Sequence, residues 1–253
     1  MTGSTSGIGL GVATALARRG AAVMLNGFGD PTAALAQVRA AAGERHAKRI
    51  DYFDADLSSE SGVEALVSRT KQQLGSLDIL VNNAGIQSVH PVESFPVDRW
   101  NAILNVNLSA AFHGTRLALP DMLRRRWGRI INIASVHGLV ASAHKAAYVA
   151  AKHGVIGLTK TVALECAPHG VTCTAVCPGW VRTPLVEAQI AARAKSSGRS
   201  LEEEQRLLIS EKMPSGQFVE VEHLAEAVLF LCSDAASQIN GTALIMDGGW
   251  TSQ

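Results

Sequence analysis

The sequence predicts an α/β fold, a single domain spanning residues 1–253 in which a parallel sheet is wrapped on both faces by helices. Short apolar or β-branched runs alternate with longer segments that carry apolar residues at helical spacing. No internal repeat, low-complexity tract or long linker divides the chain. With 47% hydrophobic residues, one substantial core can form.

In chain order, residues 7–19 read as a helix that follows a glycine-rich turn, and "AAVML" (21–25) as the strand it feeds. A helical pattern at 31–43 precedes the strand "RIDYFDA" (49–55), and another at 60–75 precedes "LDILVN" (77–82). The apolar spacing of 98–126 predicts one long helix, then the strand "RIINIA" (129–134). A helix over 145–167 leads to "VTCTAV" (171–176), and a helix over 221–233 to the last strand, "TALIMD" (242–247). Residues 184–216 form a charged helical insertion, readable as a substrate lid or as a plain surface excursion.

The totals exclude several functions. Lys and Arg number 23 against 22 acidic residues, so no overall field draws nucleic acid or a membrane surface, and a small-molecule partner is expected. The basic run "LRRRWGR" (123–129) falls where a long helix ends, where cations favour the helix dipole. Cys166, Cys173, Cys177 and Cys232 lack metal or disulfide spacing, which suits reduced thiols in a cytosolic protein; the eight histidines show no metal-binding pattern. "IGLGVATALA" (8–17) is apolar like a signal core, but Arg18 and Arg19 follow it rather than precede it. No apolar run reaches the ~18 residues a membrane span needs.

"TGSTSGIG" (2–9) places Gly3, Gly7 and Gly9 ahead of the first helix. These positions permit a tight turn, close approach of a pyrophosphate and close helix packing, a Rossmann-type phosphate site. Such a loop normally follows a strand, and only Met1 precedes Thr2; the first strand of the doubly wound sheet is therefore expected to be truncated, with several apolar residues belonging upstream. After the next strand, "NGFGD" (26–30) holds no acid at the strand end and no cation for a 2′-phosphate, which favours NAD over NADP. Asp56 can accept from the adenine amino group or cap the helix that starts near Ser59.

In "SAHKAAYVAAK" (142–152), Tyr148 lies four residues before Lys152, one helical turn away on the same face. Alone, the pair is equally a half-buried tyrosine beside a solvated lysine. Ser135 ends the strand thirteen residues before Tyr148, and "NNAG" (82–85) follows another strand. Together with the glycine loop, Asn107 and "PGWVRT" (178–183), these pieces in this order make the chain resemble the short-chain dehydrogenase/reductase family over nearly its whole length. Within it, "NGFGD", "NNAGIQ", "SVHGLVASAHKAAYVAAKHG" and "PGWVRTPLVEAQI" are similar to bacterial D-3-hydroxybutyrate dehydrogenases.

The resemblance implies NAD-dependent interconversion of D-3-hydroxybutyrate and acetoacetate, with Tyr148 as acid/base and Lys152 tuning it. Ser135 would hold the reacting oxygen, and Asn107 a water that links Lys152 to solvent. The coenzyme would lie along Gly3, Thr5, Gly7, Ile8, Gly9, Phe28, Asp56 and Leu57, with Asn83, Ala84 and Gly85 along the adenosine ribose. Pro178, Gly179, Val181 and Thr183 would flank the nicotinamide. Gln87, His137, Lys145 and Gln189 would take the carboxylate, while Trp180 and Trp250 wall the methyl end or serve as ordinary core. A homotetramer is implied, packed through 98–126 and 145–167. Reduction of another ketone or a 3-oxoacyl thioester with NADPH, and a non-catalytic dinucleotide sensor, are the rival readings. His90, His113, His144 and His153 are given no role in the site.

Overall fold

The computed structural model describes residues 1–252, apart from the side chain of Leu185. Its strands are β1 (Val23–Leu25), β2 (Ile50–Tyr52), β3 (Ile79–Asn82), β4 (Gly128–Ile133), β5 (Val171–Pro178) and β6 (Ala243–Met246). Its α-helices are α1 (Gly7–Arg18), α2 (Thr32–His46), α3 (Glu60–Leu74), α4 (Val97–Leu104), α5 (Ala110–Arg125), α6 (Ala146–Cys166), α7 (Pro184–Ser197), α8 (Leu201–Ser210) and α9 (Val221–Cys232). Each expected strand is found, most of them shorter than the apolar run that predicts it.

All pairings are parallel, in the orders β1-β2 and β3-β4-β5-β6. The central strands are buried on both faces, and alternate residues feed opposite layers. Ile130 and Cys173 join Met122 and Val162 on one side; Ile131 and Val176 join Val12, Leu224 and Val228 on the other. Burying one such aliphatic side chain contributes roughly 1.5–3 kcal/mol.

The sheet divides between β1 and β3, and residues 1–4 bridge the two parts. The Met1 ammonium donates to Met24 O at 2.9 Å, Thr2 N to Val81 O at 3.1 Å and Ser4 N to Asn26 O at 2.6 Å. Beside this bridge lies a slot of about 220 Å³, lined by Leu16, Val23, Met24, Leu66, Leu80 and Val81 among others. Burial in these surroundings pushes the Met1 ammonium down to about 5.

The expected helix over 98–126 is interrupted. Residues Asn105–Ser109 form a π-helical turn between α4 and α5. The buried Asn107 side chain lies in that turn, accepting from Ile86 N at 2.9 Å and donating to Ile86 O at 3.0 Å. Apolar periodicity does not register such a turn, because the helix resumes with its buried face intact. Residues 184–216 are helical as expected, as α7 and α8. Among the described residues, no helix is long and apolar enough to cross a membrane.

Candidate active site

A cleft of about 180 Å³ opens where β3, β4 and β5 end, the position at which open parallel sheets bind ligands. Ser135 follows β4, Tyr148 and Lys152 occupy the first two turns of α6, and residues 178–183 leave β5. All three of these groups line the cleft. So do His137, Lys145, Gln87, Gln189, Trp180 and Trp250, which the sequence reading assigned to one ligand.

Lys152 is 4% exposed, and its ammonium donates to Ile133 O at 2.8 Å, with Nζ 5.5 Å from the centre of the Tyr148 ring. Burial pushes it down to about 8. The Tyr148 phenol moves the other way: burial raises it, and the Ser135 hydroxyl opposes the rise. In the protein alone, desolvation of the phenolate therefore outweighs the Ser135 hydrogen bond, and the sequence expectation joins Lys152 with the positive nicotinamide ring. A phenolate here needs further positive charge beside the ring.

His137 stacks edge-on against both Tyr148 and Trp250, with ring centres 5.9 and 5.4 Å apart. Its Nε2 shares a 2.8 Å hydrogen bond with Ser142 Oγ. Burial, reinforced by Lys145, Lys212 and His153, pushes it down to about 4, so the imidazole is neutral at physiological pH. Lys145 lies 5.1 Å from the centre of the Trp180 ring, its pKa is lowered by burial, and among the described residues it forms no salt bridge. An unneutralised cation partly removed from water is a site for an anion. Gln189 Nε2 donates to Gln87 Oε1 at 3.3 Å, joining α7 to the loop after β3.

The phosphate end is built as its glycines predict. Gly3 has φ +57°, and a Cβ there would stand 2.9 Å from Ala84 Cα; a Cβ on Gly9 would stand 2.1 Å from Gly3 O. Asn83 Nδ2 donates to Thr2 O at 3.0 Å and Gly3 O at 2.7 Å, tying this loop to the end of β3. The N-cap of α1, Ser6, makes no side-chain capping bond, and no acid lies in the first turn. Amides and dipole there suit an anionic phosphate, with Ile8, Asn83, Gly85, Pro178, Gly179, Val181 and Thr183 all on the cleft wall. These residues fit a dinucleotide coenzyme.

Other expected coenzyme residues lie apart from the cleft. Thr5 packs under Gly27, Leu57 is buried against Met24, and Phe28 is 74% exposed. The Asp56 carboxylate accepts from Ser58 N and Ser58 Oγ, at 2.9 and 2.8 Å, and the cap of α3 is Ser59. Asn26 spends its side chain on Gly3 N, Phe53 O and Ala55 O, and Asp30 accepts from Thr32. The Asn107 side chain is engaged by Ile86, as described above. Loop backbone ties His90 to His144, through His90 N donating to His144 O at 2.9 Å.

One contributor escaped the sequence reading. Asp247, just past β6, accepts from Gly249 N, Thr251 N and Thr251 Oγ1 at 2.7 to 2.9 Å, folding the turn that brings Trp250 against His137 and Trp180. The signal was the "DGG" after the strand, an acid placed to cap its own turn.

A family model described as enoyl-(acyl carrier protein) reductase matches residues 3–251. D-beta-hydroxybutyrate dehydrogenase of Cupriavidus necator is 54% identical over 253 residues, covering 100% of this chain and 97% of the relative. The protein of the same name from Rhizobium meliloti is 49% identical, with 100% and 98% covered. Among solved structures, an actinorhodin polyketide ketoreductase variant with NADPH aligns at a TM-score of 0.92 and 35% identity, covering 100% of this chain and 96% of that one.

Proposed function

The chain belongs to the short-chain dehydrogenase/reductase family and is an oxidoreductase, and on that premise we propose that it interconverts D-3-hydroxybutyrate and acetoacetate with NAD. The observation that carries the substrate is Lys145: a cleft cation without a protein counter-ion among the described residues, in the same pocket as Tyr148 and two glutamine amides. A small free hydroxy acid supplies the missing carboxylate. The Trp180–Trp250 pair, 6.0 Å between ring centres, offers apolar surface to a short methyl end.

Bound along the glycine loop, the coenzyme supplies the nicotinamide ring that takes the hydride. Ser135 donates a hydrogen bond to the reacting oxygen, and the Tyr148 phenolate removes the hydroxyl proton. With Lys152 and the oxidised ring both cationic, bringing the phenol from above its ordinary value to near neutrality is a fall of more than ~3 units and asks for more than ~4 kcal/mol, which two charges in a poorly solvated cleft would supply. Lys152, pinned to Ile133 O, is also placed to hold the ribose hydroxyls.

The choice of NAD over NADP rests on residues 26–30, where Asn26 is fully engaged by backbone and no lysine or arginine is present to meet a 2′-phosphate. Exposed Phe112 on α5 and Leu164 on α6, 47% and 81% accessible, support a homotetramer packed through these helices. A cytoplasmic location suits four free thiols.

The test is NADH formation with D-3-hydroxybutyrate, set beside its L-enantiomer, malate, and NADPH-driven reduction of an acetoacetyl thioester. The reading requires the D-acid to dominate; preference for the thioester with NADPH contradicts it.

A further inference from the structure

Residues 184–216 carry the one ion-pair cluster in which a described carboxylate is almost wholly buried. Glu204, on α8, has a side chain 2% exposed, although Glu202 and Glu203 beside it are exposed. Its Oε2 accepts from Arg193 Nε at 3.0 Å; its Oε1 accepts from Ser197 Oγ at 2.6 Å and Arg199 Nη1 at 3.0 Å. Arg193 is held from its other side by Glu211, Nη2 to Oε1 at 2.7 Å. Two carboxylates thus meet two guanidiniums, and the buried charge is compensated. Arg193, Ser197 and Arg199 come from α7 and the turn after it; Glu204 and Glu211 come from α8 and its C-cap.

α7 is the helix that bears Gln189, four residues before Arg193 and therefore on the same face. α8 is anchored to the body, with Ile209 and the following Met213 in the cluster that contains Trp250. Among the described residues, the apolar contact between α7 and α8 is made by Val186, Ile190 and Leu208, with Trp180 and Phe218 packed against them. The ion cluster is a second, polar tie between the two helices.

We propose that Glu204 is a positioning residue for substrate binding: through Arg193 it fastens α7 to the anchored α8 and so holds Gln189 against the cleft. Glu204 touches neither cleft nor coenzyme loop, so its influence falls on substrate affinity and not on the proton transfer at Tyr148. The inference rests on the hydroxy-acid reading, since it names the substrate whose binding is affected.

The experiment compares Glu204→Ala and Glu204→Gln with the parent enzyme by steady-state kinetics, coenzyme titration and amide hydrogen exchange of the NAD complex. Glu204→Ala raises KM for D-3-hydroxybutyrate about tenfold or more, with kcat and the NAD Kd within about twofold, and Glu204→Gln lies between. Exchange over 185–197 quickens in parallel. If Glu204→Ala does not fold, Arg193→Met breaks the same tie from the half-exposed side and carries the same expectation. An unchanged KM with unchanged exchange over α7, in whichever variant folds, overturns the proposal, as does a loss of NAD affinity in step with KM. Should the parent enzyme not oxidise the acid, the substrate reading fails, while hydrogen exchange still decides whether Glu204 fastens α7.

Discussion

The floor of the cleft and the flap above it are held by different physics. Ser135, Tyr148 and Lys152 stand on β4 and α6, whose neighbours Ile131, Ile133, Val155 and Ala151 are buried aliphatics. Gln189 stands on α7, tied by charge and, among the described residues, by the small apolar cluster of Val186, Ile190, Leu208, Trp180 and Phe218. Dispersion and burial fix the floor against many partners at once, whereas the flap depends on a few directional bonds. The floor is therefore suited to chemistry that tolerates little displacement, and the flap to selecting and admitting the substrate.

If that division is right, damage to the floor appears in kcat and damage to the flap in KM. The largest effect is expected for Tyr148→Phe, which keeps the ring contacts with His137 but removes the transferable proton. Turnover falls about 10³-fold or more while NAD still binds, as initial rates and coenzyme fluorescence titration will show. Next comes Lys145→Met, which keeps the packing on Trp180 and removes the charge: KM for the acid rises by about 10- to 100-fold, and discrimination against a neutral ester of the same acid collapses. An equal fall in kcat for acid and ester would move Lys145 from recognition to chemistry.

His137 gives a smaller signal, in stability. Its pKa is lowered from 6.5 to about 4 on folding, so between those values the unfolded chain binds a proton that the folded chain does not. Stability attributable to this site is complete above about pH 6.5 and is lost as pH falls toward 4, by at most ~3 kcal/mol. Denaturant unfolding across that window should show the slope, and His137→Gln should flatten it. The smallest effect is Thr183→Ala. Thr183 caps α7 by accepting from Val186 N at 3.4 Å, a long bond worth ~1 kcal/mol or less, so KM for the acid should rise a few-fold.

Much of the floor was legible in the sequence, as were the helical character of the flap and Gln189 upon it, but not the ion cluster that joins the flap's two helices. Tyr148 and Lys152 are readable because a four-residue spacing is a local geometric fact, and Ser135 because it ends an apolar strand. Gly3 and Gly9 are readable because only a residue without Cβ fits those approaches. Lys145 and Gln189 reach the cleft as the resemblance implies. The interruption at Asn105–Ser109 was hidden because Asn107 answers to Ile86, a partner 21 residues away that no periodicity registers. Glu204 was hidden within "EEE", which reads as a solvated run until α7 is laid beside it. Phe28 and Asp56 stand apart from the cleft, since what fixes them is local turn geometry and exposure rather than motif.

The proton acceptor is the account's central claim, and the chain's composition makes it directly measurable. Only two tyrosines are present, Tyr148 and Tyr52. Ultraviolet titration of phenolate, with Tyr148→Phe as the reference, isolates one ring with and without NAD. The account predicts that Tyr148 ionises above its ordinary value in the free protein and near neutrality, a fall of more than ~3 units, once NAD is bound. Ionisation at the same high pH in both forms would contradict it.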